Sequence, residues 1–175
     1  VEKGKIPPVH GPKQSRNFDA LMDSAAKNDF EHYKISNLAR PGHRSLHNSS
    51  YWLGRPYLGL GPAAHSYDGQ HTRKWNIDNN PLYIKGMEEG TPIATEEILS
   101  LVNQHNEMIM IELRLKEGID LQSFDTRFGA AASAALLDKA TAAIHLGQLE
   151  LHDQHLLLTC QGKHFADSIA VDLFV

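Results

Sequence analysis

The sequence has 175 residues, 41% of them apolar and 22% charged, which excludes a disordered tail and fits one globular domain or two small ones. Seventeen Lys and Arg against 21 Asp and Glu leave a net charge of −4, so no overall positive field exists to hold a phosphate backbone and nucleic acid is a disfavoured partner. A lone cysteine, Cys160, excludes an internal disulfide, a cysteine zinc site or a complete iron–sulfur site built from this chain alone.

No run approaches the ~18 apolar residues of a spanning helix, and the first residues hold no apolar stretch of a secretory signal. A soluble, cytoplasmic protein without predicted membrane contact is expected. The chain lacks an initiator Met, and its first twelve residues, with Pro7, Pro8 and Pro12, read as loop. It is expected to be a C-terminal fragment of a longer protein.

Phe18, Leu21, Met22, Ala25 and Ala26 fall on one helical stripe, predicting an amphipathic helix over 13–28. Tyr33 to Ser36 alternates like a short strand, completing an αβ unit, and Pro41-Gly42 breaks the chain. Residues 41–80 are rich in Gly, His, Asn and aromatics, with one compact apolar piece, Tyr57-Leu58-Gly59-Leu60-Gly61, predicted to be a strand among functional loops. Asn79-Asn80-Pro81 supplies a cap and a first-turn proline for a short helix from Leu82 to Glu89 that closes at Gly90.

The composition changes after Gly90, where the domain boundary is placed, giving units 1–90 and 91–175. Thr95 is the expected cap of a long helix through Ile98, Leu101, Val102, Ile109 and Leu113, ending by Gly118. Helices are predicted from Leu121 to Phe128 and from Ala130 to His145. Leu149 and Leu151, then Leu156 and Leu158, alternate about Asp153-Gln154 as a hairpin, and a last helix is expected from near Thr159. Helices followed by a hairpin make the second unit winged-helix-like, the first being α/β.

Eleven histidines raise the question of metal or proton chemistry. Most are scattered and read as surface or packing residues. His43 and His47 are four apart, the spacing of a two-histidine metal site if helical, but Pro41-Gly42 precedes them. In His47-Asn48-Ser49-Ser50-Tyr51-Trp52 an imidazole stands beside two aromatics, which suits either haem, with its axial nitrogen and flat apolar walls, or plain packing. The alternating glycines of 57–61 suit either close approach to a ligand or a tight strand-to-loop junction. They are neither a dinucleotide fingerprint nor a P-loop. Ser66, His65 and Asp68 lack the elbow motif that would make them a triad.

Three segments in order, Tyr33-Lys34-Ile35-Ser36-Asn37-Leu38-Ala39-Arg40-Pro41-Gly42, His47-Asn48-Ser49-Ser50-Tyr51-Trp52 and Tyr57-Leu58-Gly59-Leu60-Gly61-Pro62-Ala63-Ala64-His65-Ser66, resemble the oxygen-independent coproporphyrinogen III oxidase-like radical SAM proteins. The likeness is to the HemW-type branch, regarded as haem chaperones, and it continues through Glu112-Leu113-Arg114-Leu115 and Gly118-Ile119-Asp120. The resemblance implies the end of an incomplete (β/α) barrel followed by a helical cover domain. It also implies a parent protein whose upstream cysteines hold a 4Fe-4S cluster that binds S-adenosylmethionine, so this chain would not be a catalyst alone. His47 would be the haem iron ligand, with Tyr51 and Trp52 beside the macrocycle, and His65 would lie near S-adenosylmethionine. Haem or a porphyrinogen is the implied ligand and a haem-receiving protein an implied partner. The alternative function is oxidative decarboxylation of coproporphyrinogen III. The true oxidases, however, carry Asn-Phe-Gln-Gly-Tyr where this chain has Leu46-His47-Asn48-Ser49-Ser50.

Overall fold

A computed structural model describes residues 11–175. The loop expected over the first twelve residues lies outside them except for Gly11 and Pro12, which instead open helix α1 (Gly11–Lys27). Proline is tolerated there because first-turn N–H groups have no intrahelical acceptor. Of the predicted stripe only Ala25 is fully buried. Phe18 sets its ring edge-on to His164 and His32, at 5.2 and 6.0 Å between centroids, and Asp19 pairs with His164 at 2.8 Å.

Strands β1 (Glu31–Lys34) and β2 (Asn37–Ala39) form an antiparallel hairpin, so the expected strand through Ser36 instead turns back at Ile35-Ser36. The hairpin is stitched to a distant segment: Ile35 N–H donates to Arg114 O (3.0 Å) and Lys116 N–H to Tyr33 O (3.1 Å). Helix α2 (Leu46–Trp52) follows, capped by Ser45, whose hydroxyl accepts from Asn48 N–H at 3.2 Å.

Strands β3 (His65–Tyr67), β4 (Thr72–Asn76) and β5 (Ala94–Ile98) make an antiparallel sheet in that order. Between β4 and β5 lies α3 (Asn80–Glu88), with the expected cap at Asn79 and a first-turn proline. The sheet therefore straddles Gly90. The strand predicted over 57–61 reduces to a single bridge, Tyr57 to Tyr67. Residues 94–98, expected to begin a long helix, are strand β5. Their register sets Glu96 opposite Lys74 and Glu97 opposite Arg73, cross-strand pairs that favour the sheet over a helix without tertiary partners.

Helix α4 (Leu101–Glu112) starts five residues later, capped by Ser100. After the two-residue β6 (Ile119–Asp120) come α5 (Leu121–Phe128) and α6 (Ala130–His145), at the predicted bounds. The Asp120 carboxylate caps α5 by accepting from Gln122 and Ser123 N–H. The predicted hairpin is β7 (Leu149–His152) and β8 (His155–Leu158), and both Asp153 and Gln154 take positive φ, as a tight hairpin turn requires. Strand β6 pairs with β8, giving the order β6-β8-β7. A 3₁₀ turn (Gly162–Phe165) leads into α7 (Ala166–Leu173), so the last helix begins later than Thr159. Gly162 is required where it stands: a Cβ would lie 1.8 Å from Gln148 O.

Every strand pairing among the described residues is antiparallel. The expected end of a (β/α) barrel is therefore not present as a parallel layer, because the strands of that region, β1 to β4, all pair antiparallel with their neighbours. The second unit has the expected helices and hairpin, with β6 as a third short strand. Its core is a cluster around Ile109, Leu113, Ile119, Phe124, Leu136 and Leu156, all essentially inaccessible. No helix among the described residues is long and apolar enough to cross a membrane.

Strand β1, the loop before α2 and the connection from α4 to β6 are tied by charge. Arg44 clamps Glu31 with two N–H donors (2.6 and 2.9 Å) and reaches Glu117 with a third (2.7 Å), and Lys116 also meets Glu31 at 2.9 Å. The Arg44 and Lys116 hydrogen bonds hold the Glu31 carboxyl down at about 2, from 4.5. A depressed carboxylate contributes stability that is present above pH 4.5 and lost as pH falls toward 2. Arg44→Ala is expected to cost about 1 kcal/mol at neutral pH and to flatten that acid limb. Urea midpoints measured against pH check this, and an unchanged acid limb would refute it.

Candidate functional site

Helix α2 carries the predicted cluster. His47 lies exposed on its first turn, with its ring edge-on to Tyr51 at 4.9 Å. Tyr51 in turn meets Tyr57 at 4.5 Å, and Tyr57 meets Tyr67 at 6.2 Å. Trp52, on the inward side, packs against buried Tyr33 at 5.8 Å and under the Lys34 ammonium at 4.0 Å. His47, Tyr51 and Trp52 therefore share one helix but not one environment: Trp52 is half-buried, Tyr51 is 38% exposed, and His47 faces water. Leu46 on the same turn is 86% exposed, as are Leu58 (76%) and Leu60 (80%) on the segment that the Tyr51–Tyr57 contact brings alongside. Three large apolar side chains, one on α2 and two on the segment that the Tyr51–Tyr57 contact joins to it, are thus open to solvent.

His43 is not on α2. Its N–H closes a turn onto Arg40 O (2.9 Å), so the helical His43–His47 spacing is not realised. No group of three or more His, Cys, Asp or Glu fit to hold a metal ion occurs among the described residues.

His65 lies on β3, exposed, with its ring stacked on cross-strand Trp75 (5.9 Å, 27°). Gly59 passes so close to it that a Cβ would sit 2.1 Å from His65 O. The glycine run is held there by Ser66 Oγ accepting from Gly59 N–H (3.0 Å) and Tyr83 Oη accepting from Gly61 N–H (3.1 Å). Asn76 Nδ2 donates to Gly61 O at 2.9 Å. Gly59 thus admits the protein's own backbone, not a ligand, whereas a Cβ at Gly61 would meet nothing within 4 Å. Ser66 is thereby engaged, and Asp68 is occupied by the N–H groups of Gln70, His71 and Thr72, so the Ser66-His65-Asp68 set is not a triad.

A cleft of about 680 Å³ opens between α2, β4 and the α4–β6 region, within the size range of small-molecule sites. Tyr33, Tyr51, Trp52, Tyr57 and Tyr67 line one part of it. Charged residues line the rest, among them Arg44, Arg73, Glu107 and Glu112. Arg73 is paired with Glu107 at 2.8 Å. Neither His47 nor His65 reaches this cleft.

Sequence reasoning missed Glu112. Burial and the neighbouring Asp120 charge raise its carboxyl to about 7, against smaller opposing effects of Arg127, the Asp120 N–H and His155. Its Oε2 is buried without a hydrogen-bond partner. A signal did exist: a single carboxylate interrupts the apolar run Met108-Ile109-Met110-Ile111 and Leu113.

Residues 99–165 match the family model of the HemN C-terminal domain, and a solved structure shares the fold. Coproporphyrinogen III oxidase (HemN) from Escherichia coli, a radical SAM enzyme, superposes on the whole of this chain and on 43% of its own, with a TM-score of 0.73 at 12% identity. The more particular likeness lies in the sequence. The haem chaperone HemW of Mycobacterium tuberculosis is 35% identical over 152 residues, covering 86% of this chain and 36% of that protein. The HemW of Lactococcus lactis is 29% identical over 161 residues (90% and 42%), and that of Bacillus subtilis 25% over 170 (97% and 45%). The chain is a relative of the oxygen-independent coproporphyrinogen III oxidase-like radical SAM proteins, similar to their HemW branch, and it spans less than half the length of the relatives it matches.

Proposed function

We propose that this chain presents a haem-binding face, as part of a haem chaperone of the HemW type, with His47 the axial iron ligand and haem its cargo. One observation carries the reading: an imidazole exposed on a helix turn, its ring edge-on to Tyr51, with the exposed Leu46 next to it in the chain. Ligation needs an accessible ring nitrogen and the macrocycle needs apolar surface. An open face also suits a cargo that must be passed on to a receiving protein. Tyr51 borders the macrocycle, while Trp52, packed inward on Tyr33, supports the helix that carries the ligand.

The departure of Leu46–Ser50 from the oxidases' Asn-Phe-Gln-Gly-Tyr favours this reading over porphyrinogen decarboxylation. A 4Fe-4S cluster does not fit the residues present, since the single cysteine, Cys160, is exposed with no second thiol near it. His65 is proposed, on resemblance alone, to lie near S-adenosylmethionine.

Haem titration of the chain, followed in the Soret region, tests the proposal. The wild type is expected to shift the band, and His47→Ala to lose the shift and weaken binding by about tenfold or more. An unchanged affinity and spectrum in the variant, or a wild type that leaves free haem unaltered, sinks it.

A further inference from the structure

Helix α2 carries the proposed haem ligand but no part of the core. It is seven residues long and buries no side chain completely, and a helix this short does not persist without outside contacts. The placement of His47 therefore depends on what moors the two ends of α2.

The C-terminal end rests on Trp52, whose ring meets buried Tyr33 at 5.8 Å. The N-terminal end, where His47 lies, is held at its cap and one residue before it. Ser45 caps the helix, and its own N–H donates to Tyr33 Oη at 3.4 Å. Arg44 directs three N–H donors at two carboxylates, Glu31 and Glu117, with its guanidinium 5.3 Å from the centre of the Tyr33 ring. A planar fork serves two carboxylates at once as a lysine ammonium cannot.

The two carboxylates come from different parts of the chain. Glu31 opens β1, whereas Glu117 lies between α4 and β6, within the residues that match the C-terminal family model. They also differ in exposure: the Glu31 side chain is 19% exposed and that of Glu117 is 51%. The Glu31 arm is thus a sheltered anchor, and the Glu117 arm is open to screening by salt. Arg44 therefore ties the C-terminal unit to the loop that enters the first turn of α2, with His47 following three residues later.

We propose that Arg44 is a positioning residue for His47, through which the C-terminal unit sets how long haem is held. With the Glu117 arm closed, the first turn of α2 keeps its place. With that arm open, the loop before the helix is anchored by Glu31 alone, and haem leaves sooner. Salt opens the exposed arm, so retention falls as ionic strength rises. The inference rests on His47 as the haem ligand, and its test tells the failure of one from the failure of the other.

Haem dissociation into an excess of apomyoglobin, followed in the Soret region at about 0.05 M and about 0.5 M salt, is the experiment. At low salt Glu117→Ala is expected to release haem about threefold faster than wild type, as suits an exposed ion pair, and Arg44→Ala about tenfold faster. Raising the salt should bring wild type toward the Glu117→Ala rate and leave Glu117→Ala little changed. Combined with His47→Ala, neither substitution should alter the rate further, because the group they position is gone. Wild-type rates in both variants, an undiminished salt dependence in Glu117→Ala, or effects that persist in the His47→Ala background overturn the proposal while leaving the ligand assignment in place. A wild-type rate in His47→Ala itself removes the ligand and this inference together. Glu117→Ala changes a half-exposed side chain, so it decides the matter even if Arg44→Ala does not fold. Its haem-free melting temperature should stay within about 2 °C of wild type, and a larger fall would assign the faster release to general loosening and overturn the positioning role.

Discussion

Phe124→Ala is expected to destabilise the chain by about 3–5 kcal/mol, the range for emptying an aromatic site in a packed core. Phe124 is fully inaccessible, and its ring meets Phe128 and His105, each at 4.9 Å. The neighbours cannot readily close the gap. They are pinned to different elements: His105 on α4, Phe128 on α5, and Leu136 and Ala140 on α6. His105 adds to the cost, because its Nε2 is already buried without a partner, and a cavity beside it leaves that group neither solvated nor packed. For a chain of this size the loss corresponds to a fall of about 10 °C or more in melting temperature. Leu46→Ala, at a site 86% exposed, serves as the control and should stay within about 0.5 kcal/mol. Calorimetric melting of the two variants checks the contrast, and a Phe124→Ala midpoint beside that of Leu46→Ala would refute the core assignment.

The second large effect is pH-dependent. Burial and Asp120 raise the Glu112 carboxyl from 4.5 to about 7 in the folded chain. A raised carboxyl means that the native state holds its proton after the unfolded state has released it. Stability attached to Glu112 is therefore fully present below pH 4.5, declines as pH rises, and is gone above about pH 7. Glu112→Gln keeps the shape of the side chain and removes the titration. Above about pH 7 the variant should be more stable than wild type by about 2 kcal/mol, allowing for solvent screening at the cleft. The gap should close as pH is lowered toward 4.5. Denaturation midpoints for both proteins across this range measure it, and parallel curves would show that Glu112 is ionised and compensated. Glu31 works in the opposite sense at lower pH, so maximal stability should fall between the two titrations.

Both effects belong to residues of the C-terminal unit, and they bear on the proposed face differently. Phe124 stabilises the unit against which the β1–β2 hairpin is stitched through Arg114, Leu115 and Lys116. That hairpin carries Tyr33, on which Trp52 and hence α2 rest. Loosening the core should thus weaken the presentation of His47 without touching it. Glu112 lines the cleft behind α2 and leaves the exposed side of the helix alone.

Much of this molecule is decided within a few residues of chain. Asn79 ahead of Pro81, Gly129 between α5 and α6, and Asp153-Gln154 between β7 and β8 are caps and turns that close locally. For that reason they were legible in the sequence, as was the His47-to-Trp52 cluster, which shares one short helix. The likeness to the oxidase-like family was legible too, because it rests on the order of motifs. The tertiary structure decided what lies across long loops. Residues 94–98 are a strand because β4, some twenty residues earlier, presents Arg73 and Lys74 to Glu97 and Glu96, and no pattern within the segment records that partner. Gly59 serves β3 because the His65 backbone lies against it. The Glu112 carboxyl is pushed up to about 7 because folding buries it and sets the Asp120 charge beside it. Local hydrogen bonding is written in adjacent residues, whereas desolvation and strand partnership depend on which distant surfaces the folded chain brings together.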